Sequence, residues 1–536
     1  METQTQDLFE ESQDENSFLI HENQGTVSNS YFWGNLKLEK DQLKLLFCII
    51  IGIIIWNLEI DGLSNSAIQT LAVFISTMLA ILMTDHPIAL VVAIALVVLV
   101  LGKSLDCETV NGDWIECHKC RIKDINGTIP FDCDPYEGGF KTALSGYSQP
   151  IVWMILCAFH LGYAVESTLL GKRISLMLMK HMGNHLLGLG FAVFASELLL
   201  APFVPSNTAR GGGIILPIVM SLIHTLDSSP THNQDLGKYL VLCGAHSNLL
   251  ISSLFITGAA PNPVVVGTAK KLLDIDFTFM TWTIGAFLPG LICGIILPIF
   301  FLWMYKPHYD GKHVIIEAKN QLELLGPLSV KELQLCTVLG IALTLWMTGD
   351  VTDIPETFVA FMALVALLSL NTISWNEVCN NAKAWDTYFW LAGMLVMAEQ
   401  LSKLGVSDYL GDHCATLIRH ITSSPSAASM LLAFFYFITM FMFSSITGHA
   451  VALVGPFLAA GQSIGCSPWL MTAILGYFSS LSACLTPFST GSVVLYFSQG
   501  FFTQTRWVSI GLIVAGIYLS VYLTVGMAWW KLLGYY

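Results

Sequence analysis

The hydrophobic positions of this chain are grouped into long runs, and short polar segments separate one run from the next. A helix needs roughly 20 apolar residues to cross a bilayer, and many of the runs approach that length. Because some runs are short enough to be half-spans, the pattern predicts about eleven to thirteen crossings. Two further apolar stretches, 150–170 and 385–405, carry polar interruptions. The predicted spans are 43–57, 63–84, 87–103, 186–204, 213–226, 237–257, 277–304, 333–349, 356–371, 427–444, 455–482 and 507–531.

The composition agrees with this pattern. Of the 536 residues, 54% are hydrophobic and only 12% are charged, whereas about a quarter of the residues are charged in a typical soluble chain. We therefore predict an all-α polytopic protein embedded in a lipid bilayer. The formal net charge is -14 and the chain has no polybasic patch, so a nucleic-acid partner is not expected.

The N-terminal segment 1–42 is rich in acidic and small polar residues, which predicts a disordered tail. It has neither the basic start and apolar core of a secretory signal nor the Arg-rich composition of a transit peptide. Lys37, Lys40 and Lys44 cluster at the start of the first span, and the next connection has no basic residue. This bias predicts a cytosolic N-terminus. Residues 15–20 resemble acidic dileucine sorting signals, so we expect an endosomal or lysosomal membrane or the plasma membrane.

A polar segment at 104–148 is predicted to face the side of the membrane opposite to the N-terminus. It contains four cysteines and Asn126, which begins an Asn-Gly-Thr glycosylation pattern. In an oxidising compartment the four cysteines predict two disulfides, with the pairing left open. Zinc binding at the Cys-His-Lys-Cys spacing and free thiols are the alternatives. The cysteines are Cys107, Cys117, Cys120 and Cys133.

The second half of the chain repeats motifs of the first half in the same order. SNTARGGGIILP from Ser206 aligns without gaps with SITGHAVALVGP from Ser445. Upstream of these, SQPIVWMILCAF pairs with DTYFWLAGMLVM, and downstream TGAAPNPVV from Thr257 pairs with TPFSTGSVV from Thr486. Membrane transporters are often built from two such halves in inverted orientation. The predicted boundaries are 43–305 for the first repeat, 306–331 for an inter-repeat loop and 332–536 for the second repeat.

In each repeat, polar residues interrupt an apolar helix. A helix break at mid-membrane must line a cavity or be buried in protein, because unpaired backbone groups are costly in hydrocarbon. The N–H groups and the dipole at the start of the following half-helix favour an anion, and hydroxyl and amide side chains add donors. Those donors are Ser206, Asn207 and Thr208 in the first half and Ser445 and Thr447 in the second. Two breaks that face each other predict a site for a substrate with a carboxylate at each end.

Arg210 and His449 occupy equivalent positions in the aligned repeats. An arginine within a membrane costs roughly 2.5–3.5 kcal/mol on insertion scales, and it remains charged. We expect the Arg210 charge to face an anionic substrate; the alternative is an internal ion pair with Glu197, earlier in the same apolar run. His449 either shares that role, since histidine can titrate near neutrality, or is a buried histidine with its hydrogen bonds satisfied.

At these motifs the chain resembles the divalent anion:sodium symporter family. Within that family it resembles the exchanger branch, which includes bacterial citrate/succinate and tartrate/succinate antiporters and the plastid 2-oxoglutarate/malate translocator. The resemblance covers roughly residues 45–536. The segments that carry it are ALSGYSQPIVWMILCAFHLGYAVESTLLGKRISL (143–176), LAPFVPSNTARGGG (200–213), FITGAAPN (255–262), FSSITGHA (443–450), CLTPFSTGSVVLYF (484–497) and LTVGMAWWKLLG (523–534).

The resemblance implies inverted repeats with two re-entrant helical hairpins, near 149–180 and 384–405, and broken transmembrane helices. It also implies a homodimer in which a transport domain moves against a scaffold as an elevator. The substrate would lie between the two Ser-x-Thr motifs, near Thr486 and Pro487. The second motif departs from the family pattern because Ile446 replaces an asparagine, which removes a side-chain amide from that half of the site.

In the exchanger branch, fixed cationic side chains take the place of sodium, and Arg210 and His449 match that role. The residues expected to support the site are Thr257, Gly258, Asn262 and Glu197. We therefore expect obligate exchange of dicarboxylate or tricarboxylate anions such as malate, succinate, 2-oxoglutarate or citrate.

Sodium- or proton-coupled uptake of the same anions is the alternative function. No HExxH, GxSxG or paired-Asp motif occurs in a suitable context, so an enzyme, a cofactor and a bound metal are not expected. An ion channel would show a continuous polar pore rather than paired broken helices.

Overall fold

The computed structural model describes residues 31–33, 36–38, 40–123, 129–307, 309 and 311–536, and it is almost entirely helical. Two sequence predictions lie outside these residues: the glycosylation acceptor Asn126 and the sorting signal at 15–20. Within the segment predicted as a disordered tail, strands β1 (Tyr31–Trp33) and β2 (Leu36–Leu38) pair in an antiparallel sheet, and the first helix begins at Lys40.

The first half of the chain is mostly helical, and its connections are short except for the one between Leu101 and Pro135. A π-helical segment, Thr208–Ile215, runs directly into the helix that follows it. The helices are α1 Lys40–Trp56, α2 Asn65–Met83, α3 Ile88–Leu101, α4 Pro135–Leu144, α5 Pro150–Ser167, α6 Leu170–Met182, α7 Leu186–Leu200, α8 Leu216–Thr225, α9 Gln234–Leu254, α10 Pro261–Leu273 and α11 Phe279–Tyr305. Strands β3 (Asp106–Glu108) and β4 (Trp114–Glu116) form an antiparallel pair between α3 and α4.

The second half has the same kinds of element. A second π-helical segment, Tyr522–Gly526, joins its last two helices. The helices are α12 Gly311–Leu325, α13 Val330–Met347, α14 Gly349–Thr352, α15 Glu356–Ser369, α16 Trp375–Asn380, α17 Ala382–Lys403, α18 Val406–Ile421, α19 Pro425–Ile438, α20 Ile446–Ile464, α21 Pro468–Leu481, α22 Gly491–Phe497, α23 Gln504–Val521 and α24 Met527–Leu532.

Among the described residues, seven helical segments are long and apolar enough to cross a membrane, judged by length and composition. Three shorter apolar helices, α3, α7 and α15, add to them. The single span predicted at 455–482 is wrong, because α20 ends at Ile464 and α21 begins at Pro468. Gly465 ends α20 with φ 89°, and proline is favoured in the first turn of the next helix because it has no N–H to leave unpaired.

Two helical hairpins carry the Ser-x-Thr motifs at their tips. In the second hairpin, α19 and α20 run in opposite directions, since Cys466, just after α20, donates its Sγ hydrogen to the carbonyl of Pro425, where α19 begins. In the first hairpin, residues before and after the tip lie against the same side chain, that of Asn248. Asn248 Nδ2 donates to Glu197 Oε1 on α7 at 3.1 Å. A Cβ added to Gly211, which follows the tip, would lie 2.6 Å from the same Nδ2 atom.

These hairpins lie elsewhere than the positions 149–180 and 384–405 predicted for them. At both predicted positions an apolar helix, α5 or α17, ends in a left-handed turn at Leu169 (φ 63°) or Gly405 (φ 77°). The helices that follow, α6 and α18, have one charged face, whereas a hairpin arm inside the membrane would be apolar. The positions implied by the family resemblance are therefore wrong, and each of these stretches is a bend between an apolar and an amphipathic helix.

The segment 306–331, predicted as a loop, contains the amphipathic helix α12. Its buried residues Val314 and Ala318 face the protein, and the rest of the helix is largely polar. Just beyond it, the Arg173 side chain on α6 forms an ion pair with Glu332, with Nε 2.6 Å from Oε1, and donates to the carbonyl of Gly326 at 2.9 Å. The prediction failed because the apolar positions here are too few for a span but suffice for one helical face.

The polar segment 104–148 is a small folded unit held by disulfides Cys107–Cys117 and Cys120–Cys133. All four thiols are used, which leaves none for the zinc alternative. The unit contacts the second repeat, since Gln400 on α17 accepts the N–H of Asp106 at 2.9 Å. Asp134 caps α4, and the backbone N–H groups of Glu137 and Tyr136 hold the pKa of its carboxyl below the usual value.

Candidate functional site

The tips of the two hairpins meet around a cavity of about 180 Å³. The two Ser-x-Thr motifs, which are remote in sequence, both line it. The breaks in two other helices reach the same cavity: the break between α9 and α10, and the break between α21 and α22. The lining residues are Phe159, Pro205, Ser206, Asn207, Thr208, Ala260, Thr387, Trp390, Ser444, Ser445, Ile446, Thr447, Thr490 and Gly491.

The two aligned serines make the same local contact. Ser206 Oγ accepts the backbone N–H of Ala209 at 3.2 Å, and Ser445 Oγ accepts that of Gly448 at 3.2 Å. Each hydroxyl therefore acts as an acceptor toward the first turn of its own helix, and its proton remains available as a donor. Both residues are half-buried at the cavity wall. Each hairpin tip thus contributes one hydroxyl donor to the cavity lining.

The cavity also lies at the start of two helical segments. The segment that leads into α8 follows Asn207, and α20 follows Ser445. The first-turn N–H groups and the positive end of a helix dipole favour an anion. With the hydroxyls of Thr208 and Thr447, which also line the cavity, this arrangement offers hydrogen-bond donors from both hairpin tips to a negatively charged group.

Asn207 joins the first tip to the break between α21 and α22. Its Nδ2 donates to Thr490 Oγ1 at 2.9 Å and to Ser492 Oγ at 3.2 Å. The approach is close, because a Cβ on Gly491 would lie 2.7 Å from Thr208 Oγ1. A side chain at position 491 would therefore push the break away from the hairpin tip.

Thr486 and Pro487 do not line the cavity among the residues that the structure describes. Both are buried, and the other end of the same break, Thr490-Gly491, forms the wall instead. The sequence motif TPFSTGSVV contains all four residues, but the first two precede the turn that brings the chain to the cavity. The repeated motif thus contains residues that reach the cavity, and the fold of the break decides which of them line it.

Arg210 does not face the cavity, contrary to the expectation that its charge meets the substrate directly. It is fully buried, and its Nε lies 2.5 Å from Glu197 Oε2, so the ion pair that was the alternative is present. Its Nη1 donates to the carbonyls of Val204 at 2.6 Å and Gly258 at 3.0 Å, and its Nη2 donates to Ser252 Oγ at 2.7 Å. The guanidinium thus joins the first hairpin tip to the break between α9 and α10.

The residues predicted to support the site in the first half lie at the same place, where the first hairpin tip meets the break between α9 and α10. Thr257 donates its hydroxyl to the carbonyl of Pro202 at 2.7 Å. Asn262 Nδ2 donates to the carbonyls of Ser252 at 2.7 Å and Phe255 at 2.8 Å. These bonds satisfy carbonyls that the helix break leaves without intrahelical donors, so the residues shape the site without lining it.

His449 is also buried behind its hairpin tip rather than turned to the cavity. Its Nε2 lies 2.9 Å from Thr439 Oγ1, and its ring packs 4.4 Å from that of Tyr436 and 5.0 Å from that of Phe443, measured between centroids. His449 and Arg210 therefore occupy equivalent positions in the aligned motifs but have different partners. Arg210 pairs with the Glu197 carboxylate, whereas His449 has no carboxylate partner in the described part of the chain.

Three lining residues from outside the hairpins and breaks were not singled out from the sequence. Phe159 lies on α5, and Thr387 and Trp390 lie on α17. They belong to the upstream pair of repeated segments, SQPIVWMILCAF and DTYFWLAGMLVM. That pairing was the available signal, although it did not show which residues in the segments face the site.

Comparisons with known proteins agree with this architecture. The sequence model of the family described as sodium:sulfate symporter transmembrane region matches residues 39–536. Dicarboxylate transporter 2.1 of the Arabidopsis thaliana chloroplast is 33% identical over 405 residues, which cover 74% of this chain and 71% of that protein. The citrate/succinate antiporter of Escherichia coli K12 is 29% identical over 507 residues, which cover 92% of this chain and 100% of that protein.

A solved structure has a similar fold. The YdaH transporter of Alcanivorax borkumensis superimposes with a TM-score of 0.52 at 13% identity, over 84% of this chain and 99% of that one. At this identity the likeness concerns the fold alone. It supports a polytopic all-α membrane protein.

Proposed function

Because the chain belongs to the sodium:sulfate symporter transmembrane region family, the divalent anion:sodium symporters, we propose that it exchanges small dicarboxylate or tricarboxylate anions across a membrane. The family consists of carriers and not of enzymes. The relatives named above as carrying dicarboxylates, citrate or succinate favour anions of the malate, succinate, 2-oxoglutarate or citrate type.

The observation that carries the proposal is the pair of hairpin tips around one small cavity. Ser206 on one tip and Ser445 on the other both line it, each with a hydroxyl proton that is not used in its cap bond, which suits an anion with a carboxylate at each end. The cavity of about 180 Å³ is smaller than the roughly 300–1,000 Å³ of pockets for drug-sized ligands, so a small anion fits it better than a large one.

The bonding of Arg210 supports sodium-independent transport. Its guanidinium contacts the carbonyls of Val204 and Gly258, and backbone carbonyls of this kind are the ligands that a hard cation would otherwise use. With Glu197 it forms a neutral pair. This carrier therefore has a built-in positive group at the position where a coupled cation would help to hold the first tip.

Exchange then follows from the donors around the cavity rather than from an exposed charge on Arg210. Without an anion, the hydroxyls of Ser206 and Ser445 and the first-turn N–H groups would cross the membrane without acceptors. Such unpaired polar groups are costly away from water. The loaded carrier should therefore cross much faster than the empty one, which makes transport in one direction depend on return of a second anion.

For the motion we propose an elevator, in which the two hairpins and the broken helices α9–α10 and α21–α22 move together. The hairpin tips and the two helix breaks line the cavity, and α5 and α17 add Phe159, Thr387 and Trp390 to its wall. We also propose a homodimer with the N-terminus in the cytosol, located in an endosomal or lysosomal membrane or in the plasma membrane.

Counterflow in proteoliposomes tests the proposal. Vesicles are loaded with malate, succinate, 2-oxoglutarate, citrate or sulfate, or left empty, and uptake of a labelled dicarboxylate is measured with sodium or choline outside. We expect uptake only into vesicles that contain a carboxylate, at the same rate in both salts. Strong uptake into empty vesicles, driven by sodium, would reject exchange.

Serine variants test the site itself. Loss of a hydrogen bond to a charged group costs roughly 1.5–3 kcal/mol, so Ser206→Ala and Ser445→Ala should each raise the KM for exchange by about tenfold or more. The matched control is Ser509→Ala on α23, whose hydroxyl donates to the Thr505 carbonyl at 2.8 Å far along the chain from the motifs. Equal KM values for the control and the two site variants would remove these serines from the site.

Cation-coupled symport remains the second candidate because of one observation in the second repeat. The hydroxyl oxygens of Ser482 and Thr486 are buried and have no hydrogen-bond partner among the described residues. These oxygens lie in the break between α21 and α22. In the first repeat the equivalent break is the one between α9 and α10, which Arg210 contacts through the carbonyl of Gly258. If they bind sodium, Thr486→Ala should abolish a sodium-dependent component of uptake, whereas a pure exchanger shows no such component.

A further inference from the structure

A second and much larger cavity, of about 1000 Å³, lies between α2, α10, α17, α18 and α20. We call it the interhelical groove. Its walls are mainly apolar and include Phe74, Met78, Leu410 and Phe443. None of its described lining residues lines the 180 Å³ cavity, although Phe443 directly precedes Ser444 of the hairpin tip. The groove is therefore a separate space beside the proposed substrate site.

One end of the groove is charged. Lys271 and Lys403 share the carboxylate of Glu399, with Nζ–Oε distances of 2.6 Å and 3.2 Å, and Lys270 pairs with Asp276 at 2.5 Å. A further carboxylate at this end is that of Glu356, which accepts the N–H of Phe279 at 3.3 Å. Because an ammonium group has three N–H donors, these lysines retain donors for another acceptor.

The charged end is on the side of the disulfide-bonded unit. Lys403 Nζ lies 4.8 Å from the ring centroid of Trp114, which is on strand β4 of that unit and is largely exposed. Tryptophan and lysine together are typical of the membrane–water interface. The charged end of the groove thus has residue types typical of the membrane–water interface, and its walls have residue types typical of the hydrocarbon region.

We propose that the interhelical groove binds a membrane glycerophospholipid, with acyl chains along the apolar walls and the phosphate at Lys270, Lys271 and Lys403. Two arguments support this occupant. An apolar space of this size in a protein within a bilayer is filled by the apolar molecules at hand, because a void forfeits the dispersion contacts of its walls. A phosphate accepts the charge-assisted hydrogen bonds that the lysine donors can make.

Lipid retention tests the proposal without reference to transport, so its outcome is independent of the proposed function. The protein is reconstituted in nanodiscs with phosphatidylglycerol or with the matching diacylglycerol doped into an inert matrix, extracted, and weighed by native mass spectrometry. We expect retained phosphatidylglycerol at about one molecule per chain and at least fivefold less diacylglycerol. No retained phospholipid, or equal retention of both, would overturn the assignment.

Filling the groove gives the matched comparison. Gly455 on α20 lines it, and a Cβ there would meet only Ser407 Oγ, at 3.5 Å, so Gly455→Leu should fold and occupy the space. The control is Gly340→Leu on α13, where a Cβ meets nothing within 4 Å and the residue lies outside the groove. We expect at least fivefold less retained phospholipid in Gly455→Leu and wild-type retention in the control.

Two further variants keep the test decisive if Gly455→Leu does not fold. Leu410→Trp fills the same groove from α18 and should also lower retention. Lys271→Ala combined with Lys403→Ala removes two of the three lysine donors and should lower retention of phosphatidylglycerol without changing that of diacylglycerol. Wild-type retention in all of the folded groove variants would refute the site.

Discussion

The charge balance around Arg210 can be tested by the substitution Arg210→Ala. In the wild type the guanidinium makes four short contacts: with the Glu197 carboxylate at 2.5 Å, with the carbonyls of Val204 at 2.6 Å and Gly258 at 3.0 Å, and with Ser252 Oγ at 2.7 Å. The substitution leaves the Glu197 carboxylate fully buried with neutral donors alone.

Removing one partner of a buried ion pair costs roughly 3–5 kcal/mol, because the other charge remains desolvated. The variant should therefore be clearly less stable. It also leaves one carboxylate and two carbonyl groups facing the same space, which is a suitable set of ligands for sodium. Sodium at about a hundred times its Kd would restore about 2.7 kcal/mol, which is about half of the loss or more.

The assay is thermal unfolding of the purified protein, followed by a thiol-reactive dye that labels buried cysteines such as Cys243 and Cys293 when they become exposed. Sodium chloride is compared with choline chloride at equal ionic strength. We expect a lowered Tm for Arg210→Ala, a rise of that Tm with sodium alone, and no sodium response in the wild type.

The control variant combines Arg210→Ala with Glu197→Gln, which removes the buried charge and should abolish the sodium response. If the wild type is stabilised by sodium as strongly as Arg210→Ala, the guanidinium does not stand in for a cation. An Arg210→Ala protein with the wild-type Tm would show that the ion pair contributes no stability.

Three more outcomes follow from the contacts described above. Asn207→Ala removes the bond to Thr490 and should raise the KM for exchange by about tenfold, a loss of about 1.4 kcal/mol; an unchanged KM in counterflow would contradict this. Because the pKa of Asp134 is lowered in the folded protein, its contribution to stability is present at neutral pH and is lost as the pH falls through that pKa. Hydrogen exchange in α4 should therefore rise on acidification, and Asp134→Ala should raise it already at neutral pH; the same acid response in both proteins would refute the assignment. Replacing Cys120 and Cys133 together by serine opens a link across a sequence separation of 13 and should cost the disulfide-bonded unit about 2–4 kcal/mol; limited proteolysis there should accelerate, and unchanged cleavage would argue against the bond.

Much of the architecture was predictable from local features of the chain. Helices α2, α5 and α11 coincide closely with apolar stretches, because the length and polarity of a segment decide whether its backbone can be satisfied inside a bilayer. The position of the cavity was also accessible, since Ser206 and Ser445 stand at the same place in two aligned motifs. The contact of each serine is with a backbone N–H three residues later, so it can be predicted from local sequence. The occurrence of the same motif in both halves strengthens that prediction.

The predicted element boundaries are wrong where a turn divides an apolar run or where a helix has only one apolar face. The run at 455–482 has no charged residue, but Gly465 and Pro468 divide it into two helices. The segment 306–331 is too polar for a span, yet α12 needs only one apolar face to pack. The hairpin positions 149–180 and 384–405 rest on the family resemblance, and the polar interruptions in those stretches fit a bend between an apolar and an amphipathic helix equally well.

The sequence by itself determined that this is a helical membrane protein of two related halves with polar breaks in its helices, because hydrophobic length and motif order are properties of the chain. Only the tertiary structure decided which groups meet. Arg210 pairs with Glu197 and with carbonyls from two elements, and His449 is enclosed by Thr439 and aromatic rings. Aligned positions carried no information about these partners, since each half surrounds its basic residue with different neighbours, and a buried polar group takes the partners that packing brings within reach.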